Sequence, residues 1–236
     1  MTVRVGVVLF PGSNCEHDVA EAVTSLGGEA SIVWHGDSSL GALDAVVLPG
    51  GFAHGDYLRP GAIARFSPIM TAVEEFAARG GPVVGICNGF QVLTEAHLLP
   101  GALQKNRGLT FLCTTVELSV ASERSVLTRG IPVGSLLRVP INHFEGNYTC
   151  DQATLDELRA EGRIILRYSD NPNGSIDSIA GIANAAGNVV GLMPHPERAC
   201  DSLSGSTDGR VLLSALLGAS GAGRATAAAL SAAATS

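Results

Sequence analysis

The 236-residue sequence predicts an α/β fold: a mostly parallel central sheet flanked by helices, with a smaller antiparallel strand element in the middle of the chain. Three observations predict it. Short Val- and Ile-rich runs alternate with helical patterns at the spacing that right-handed βαβ units require. Those runs are apolar nearly throughout, as strands buried on both faces are. The middle of the chain then switches to alternating apolar and polar residues, the pattern of antiparallel strands.

The first strand is "VRVGVVLF" (3–10), closed by Pro-Gly, and "HDVAEAVTSL" (17–26) follows as a helix stopped by Gly27-Gly28. "ASIVW" (30–34) and "LDAVVLPGG" (43–51) read as the second and third strands. "IMTAVEEFAARGG" (69–81) is a helix with a glycine stop, and "PVVGI" (82–86) is another short buried strand. "LTFLCTTVELSV" (109–120) and "LLRVPI" (136–141) alternate as antiparallel strands without a helix between them. After a helix near 154–161 come three strand-like runs, "RIILRYS", "SIDSIAGIAN" and "GNVVGLMPHPE", joined by Asn/Gly turns. "TDGRVLLSALLG" closes with a helix. No linker interrupts residues 1–218, which are expected to form one domain. Residues 219–236, rich in Ala, Ser and Thr, lack a matched apolar face; they are expected as a frayed or disordered tail, although the alanines can extend a helix.

Composition narrows the function. A net charge of −7, with Lys105 the single lysine, argues against nucleic-acid binding. No apolar run approaches the roughly 20 residues of a membrane span, and the N-terminal stretch lacks the apolar core of a signal peptide. A cytosolic protein that engages neither nucleic acid nor membrane is expected. Cysteines at 15, 87, 113, 150 and 200 form no C-x-x-C pair, and the six histidines are dispersed, so neither a disulfide framework nor a metal site is expected.

The stretch "VVGICNGFQVLTEA" (83–96) sets Cys87 between Gly85 and Gly89 where a buried strand turns helical. Small residues two positions either side make room for a tight strand-to-helix turn that pushes a side chain out of the sheet. The start of a helix also supports negative charge on sulfur. A buried cysteine packing as a small hydrophobe is an equal reading of this window alone. The rest of the chain breaks the tie. "MPHPERA" offers His195 as a base and Glu197 to orient it, and in an extended segment residues i and i+2 point the same way. The competing reading is a surface turn pair. "LPGGFAHGD" (48–56), a glycine-rich turn after a strand, can aim backbone N–H groups at an oxyanion or be a plain turn. Gln91, four residues after Cys87, shares its helix face and either holds a substrate or is solvated.

Together these residues resemble the class I glutamine amidotransferases. "FPGSNCEHD", "LPGGF", "GDYLRPGAIARFSPIM", "GICNGFQVL", "EGNY" and "GLMPHPERA" carry the resemblance from about residue 3 to residue 217. The match is closest to members whose glutaminase is a separate small subunit of a synthetase in purine biosynthesis. The resemblance implies a flavodoxin-like fold and a Cys87-His195-Glu197 triad that hydrolyses L-glutamine through a thioester. It implies an oxyanion hole from the N–H groups of Gly51 and Asn88, and a glutamine contact by Gln91. It also implies no cofactor on this chain, with ATP and magnesium on a synthetase partner, and a small third subunit. The sequence departs from the family at Ala53, His54 and Phe144, where Ser, Tyr and Gly are usual; a Phe adopts a positive φ only at a cost. Two other readings stay open at this stage: a stand-alone cysteine hydrolase on a related α/β fold, and a non-enzymatic regulatory subunit with a redox-sensitive elbow cysteine.

Overall fold

A computed structural model describes residues 2–233, with side chains described through residue 221. Eleven strands and five helices are assigned among the described residues. The first half is built from β1 (Arg4–Leu9), α1 (Glu16–Ser25), β2 (Glu29–Trp34), β3 (Ala45–Leu48), α2 (Pro68–Ala78), β4 (Val83–Ile86) and α3 (Asn88–Glu95). The second half comprises β5 (Ala102–Gln104), β6 (Leu112–Val120), β7 (Leu136–His143), β8 (Asn147–Thr149), α4 (Gln152–Ala160), β9 (Ile164–Tyr168), β10 (Ile179–Ala183), β11 (Val189–Leu192) and α5 (Gly209–Ala233).

Nine strands form one sheet in the order β2-β1-β3-β4-β11-β10-β9-β6-β7. From β2 to β11 every neighbour is parallel, and from β11 onward every pair is antiparallel. The antiparallel strands expected in the middle of the chain therefore extend the main sheet. A separate two-stranded ribbon, β5 with β8, comes from segments too short to show a period in the sequence. β3 and β4 are wholly buried, as is β11, which explains their unbroken Val-rich composition.

The helix ends follow local chemistry. α1 buries Val19, Ala22 and Val23, an i, i+3, i+4 stripe, and stops where Gly27 takes a φ of 85°. α2 opens with Pro68 at its first turn, where a missing N–H costs nothing. α4 is capped by Asp151, whose side chain accepts from the Thr154 N–H at 2.7 Å.

Two expected strands are shorter than the sequence suggested. "SIDS" is a turn, with Asp177 and Ser178 at φ 54° and 53°, so β10 begins only at Ile179. β11 likewise ends at Leu192, and Pro196–Ala199 forms a 3-10 turn. α5 runs into the segment expected as a tail, up to Ala233; the end of that segment, 234–236, lies outside the described residues. No helix among the described residues is long and apolar enough to cross a membrane.

The register places three loops together. β3, β4 and β11 are adjacent and parallel, so the segments leaving Leu48, Ile86 and Leu192 emerge at one sheet edge. α3 closes on that edge so tightly that a Cβ on Gly89 would lie 2.0 Å from the Leu48 carbonyl oxygen. Gly89→Ala is therefore expected to destabilise the fold by about 1–3 kcal/mol, the usual cost of overpacking a core. Urea unfolding checks this; an unchanged midpoint would show that the helix has room to move.

Candidate active site

Cys87 stands between β4 and α3 with φ 50° and ψ −105°, a conformation that L side chains rarely adopt. Its N–H donates to the Leu192 carbonyl at 2.8 Å, extending the β4–β11 ladder by one residue. The turn happens at once because Gly85 and Gly89 face each other: a Cβ on Gly85 would meet the Gly89 carbonyl oxygen at 2.5 Å. The thiol lies 3.8 Å from the Asn142 carbonyl oxygen at the end of β7. This is the strained, outward-pushed cysteine that the spacing of glycines predicted.

His195 and Glu197 follow β11 and are buried together, with Nδ1 and Oε1 2.6 Å apart. The route to this contact differs from the expected extended segment. His195 has φ −104° and ψ 84°, but Pro196 then starts a 3-10 turn, and Glu197 reaches back to the imidazole from inside that turn. The His195 N–H is anchored on the Pro140 carbonyl of β7 at 2.8 Å, so the far-edge strand of the sheet covers this segment. Burial opposes a charged His195, yet the Glu197 carboxylate and the Cys87 sulfur outweigh it and raise its pKa well above the usual histidine value.

The same cavity, about 350 Å³, is lined by Cys87, His195, Gly51, Gln91, Asn14 and Cys15, with Asp56, Lys105 and 142–145 around them. Gly51 has φ 144°, and a Cβ there would strike the Asn14 backbone at 2.8 Å. Its N–H has no hydrogen-bond acceptor among the described residues, whereas the neighbouring Phe52 N–H donates to the Gly12 carbonyl. The Asn88 N–H, in the first turn of α3, likewise has no helical acceptor. Gly51 thus lines the cavity together with Cys87, and Asn88 directly follows Cys87 in the chain.

Asn88 and Gln91 do more than the sequence indicated. The Asn88 amide accepts from the Ala53 N–H at 2.9 Å and donates to Asp56 Oδ1 at 3.1 Å and Gln91 Oε1 at 2.8 Å. Gln91 in turn donates to the Glu145 carbonyl at 2.6 Å. Gln91 is buried and pinned at both ends, while its remaining N–H and lone pair stay available to a ligand. The departures at Ala53 and His54 do not line the cavity: Ala53 is buried and the His54 ring packs on His35. Phe144 does line it, without a positive φ.

Several cavity residues carried no signal in the sequence. Cys15 is one: its sulfur, a His195 ring nitrogen and a Glu197 oxygen lie within 4.8 Å of one another, all buried, so Cys87 is not the only thiol here. His143 is another, with burial first and the His195 charge second pushing its pKa down to about 4. Asp56 is a third. Burial, set against the Asn88 hydrogen bond and reinforced by Glu145, pushes its pKa from 3.8 up to about 6.

The Asp56 shift has a testable sign. The folded chain holds this proton up to about pH 6 and the unfolded chain releases it near 3.8, so folding stability from this group is lost as pH rises through that window. Asp56→Asn does not titrate. Its stability relative to the parent is expected to rise between about pH 4 and 6 and then level off. Denaturant midpoints across that range check this, and a pH-independent difference overturns it.

Comparison with known proteins agrees with this geometry. Residues 2–210 match the family model of the CobB/CobQ-like glutamine amidotransferase domain. The chain is 56% identical over 215 residues to the phosphoribosylformylglycinamidine synthase subunit PurQ of Rubrobacter xylanophilus, covering 91% of this chain and 98% of that one. It is also 56% identical, over 216 residues, to the subunit of the same name from Parasynechococcus marenigrum, covering 91% of this chain and all of that one. A solved structure of PurLQS from Thermotoga maritima superposes with a TM-score of 0.86 at 41% identity, covering 92% of this chain and 99% of that one. With a nucleophile elbow, a buried His-Glu pair and this similarity along nearly its whole length, the chain belongs to the CobB/CobQ-like glutamine amidotransferase family.

Proposed function

We infer that this chain is the glutaminase subunit of phosphoribosylformylglycinamidine synthase, in purine biosynthesis. It hydrolyses L-glutamine to glutamate and ammonia and passes the ammonia to a synthetase subunit, with a small third subunit in the assembly. The relatives' names and the PurLQS match support this reading. The single observation that carries the chemistry is the strained Cys87 elbow one strand away from a His195–Glu197 pair 2.6 Å apart.

The mechanism follows from that arrangement. The Cys87 sulfur attacks the side-chain carboxamide carbon, and the oxygen takes up charge between the Gly51 and Asn88 N–H groups. His195 gives its proton to the departing nitrogen, and ammonia leaves with formation of a γ-glutamyl thioester. His195 then takes a proton from water as that water attacks the thioester, releasing glutamate and the thiol. Glu197 fixes the ring orientation and supports its positive charge. Asp56, Glu145 and Lys105 line the cavity and give it both signs of charge, as an amino-acid zwitterion requires. ATP and magnesium belong to the synthetase, since the sequence has no Walker-type loop. The chain acts in the cytosol.

The partner's docking site is supported by exposed Phe52 and Leu58, which line the cavity, and by exposed Tyr57 beside Leu58 in the same loop, large apolar groups that a monomer gains nothing by exposing. The same loop holds His54, Asp56 and Leu58 at φ 53°, 53° and 69°. Each such residue stores on the order of 1–3 kcal/mol of strain, so contact with a partner can shift this loop.

Two outcomes test the reading. Cys87→Ala is expected to abolish glutamine-dependent synthesis by the assembled complex and to leave synthesis from added ammonium salt intact. Retained glutamine-dependent activity would exclude Cys87 as the nucleophile and favour the regulatory-subunit reading. Glutamate release is also expected to rise at least about tenfold when synthetase, ATP and acceptor nucleotide are present, a fraction of the 10²–10³ that one oxyanion donor is worth. Equal turnover by the isolated chain would instead favour a stand-alone hydrolase.

A further inference from the structure

The glutaminase mechanism gives Cys15 no chemical step, yet its thiol stands at the N-cap of α1 beside the His195–Glu197 pair. Gly50 lies between them: a Cβ there would sit 2.7 Å from His195 Cε1 and 3.1 Å from the Cys15 sulfur. The three donors are a thiol, an imidazole and a carboxylate, all buried and within 4.8 Å of one another. That set is the one zinc prefers, and its mixture of sulfur and nitrogen disfavours calcium and magnesium.

Unsatisfied atoms accompany the cluster. Glu197 Oε2 and His195 Nε2 are both fully enclosed and have no hydrogen-bond partner among the described residues. Nε2 is accounted for by the reaction with Cys87; Oε2 is not. We propose that Cys15, His195 and Glu197 form an inhibitory site for a thiophilic divalent cation of the zinc type, which switches the enzyme off reversibly by taking its base as a ligand.

The fit is close. Tetrahedral zinc, bonded at about 2.0–2.3 Å, holds its donors roughly 3.3–3.7 Å apart. The short Nδ1···Oε1 contact must open by somewhat less than 1 Å, and the sulfur, within 4.8 Å of both donors, must close by at most about 1.3 Å. The ion replaces two protons, the one on the Cys15 thiol and the one shared by His195 and Glu197, so binding releases both to solvent. One thiolate and one carboxylate then balance its two charges. Arg198, which faces the Cys15 sulfur at 3.2 Å, is itself held by Asp18 at 2.9 Å, so its charge is compensated outside the cluster. Cys15 and His195 both line the cavity, which gives the ion an entry path. Once bound, the ion separates His195 from Glu197 and fixes the ring, leaving Cys87 without a working base.

Binding is independent of the glutaminase reading, and inhibition rests on it, so the two are measured separately. Calorimetric titration of the purified chain with zinc chloride is expected to give one ion per chain. Cobalt substitution should add the charge-transfer absorption of a thiolate ligand. Cys87→Ala should keep that stoichiometry, whereas Cys15→Ala should weaken binding at least tenfold; Cys15→Ser, measured in parallel with circular dichroism, guards against loss of folding in one variant. In the assembled complex, zinc should suppress glutamine-dependent synthesis and spare ammonium-dependent synthesis, with recovery on adding a chelator. No zinc bound, less than a tenfold effect in the folded Cys15 variants, or loss of binding in Cys87→Ala would each overturn the proposal. So would zinc held at Cys15 without loss of glutamine-dependent turnover.

Discussion

The structure depends on one backbone constraint: Cys87 held at φ 50°, ψ −105° at the end of β4. Left alone, a cysteine in that conformation relaxes, because its Cβ crowds the backbone at a cost on the order of 1–3 kcal/mol. Here it cannot relax. Its N–H is fixed to Leu192, α3 is pressed onto Leu48 through Gly89, and β4 is buried between two parallel neighbours. Val83, Val84, Ile86, Phe90 and Leu93 are all sealed in the same core. Burial of this much apolar surface, at about 25 cal/mol per Å², offsets the local strain many times over.

The parallel edge also explains how three distant segments reach one point. β3, β4 and β11 end in register, so residues near 50, 87 and 195 meet without a long loop. The antiparallel strands then serve the site from the other side. β7, last in the sheet, returns to fix the His195 backbone through Pro140 and sets Asn142 over the thiol.

Around this frame, buried polar groups are hydrogen-bonded to one another. Asn88 links the loop at Ala53, the carboxylate of Asp56 and the amide of Gln91, and Gln91 carries the link on to Glu145. A shift of the strained 53–58 loop therefore acts on Asn88, the residue that follows Cys87. Charge follows the same logic. Burial makes a lone ion costly, so His195 is charged only because Glu197 and the sulfurs surround it, while His143, next to it without an acid, is driven to the neutral form.

The sequence by itself determined the elements whose chemistry is local. Val-rich runs bounded by glycine or proline gave β1, β3 and β4, helical stripes gave α1 and α2, and Gly85-x-Cys87-x-Gly89 gave the elbow, because each is decided within a few residues. It also placed His195 and Glu197 in one short segment, since Pro194 and Pro196 limit the backbone around them. It could not show that Glu197 reaches the ring from a turn, because a proline at the start of a helical turn and one in a strand look alike in sequence. Nor could it bring Cys15 from 180 residues away to the imidazole, lift Asp56 toward pH 6, or fold β7 back over the site. Those depend on which strands become neighbours and how deeply each group is buried, and only the packed sheet decides both.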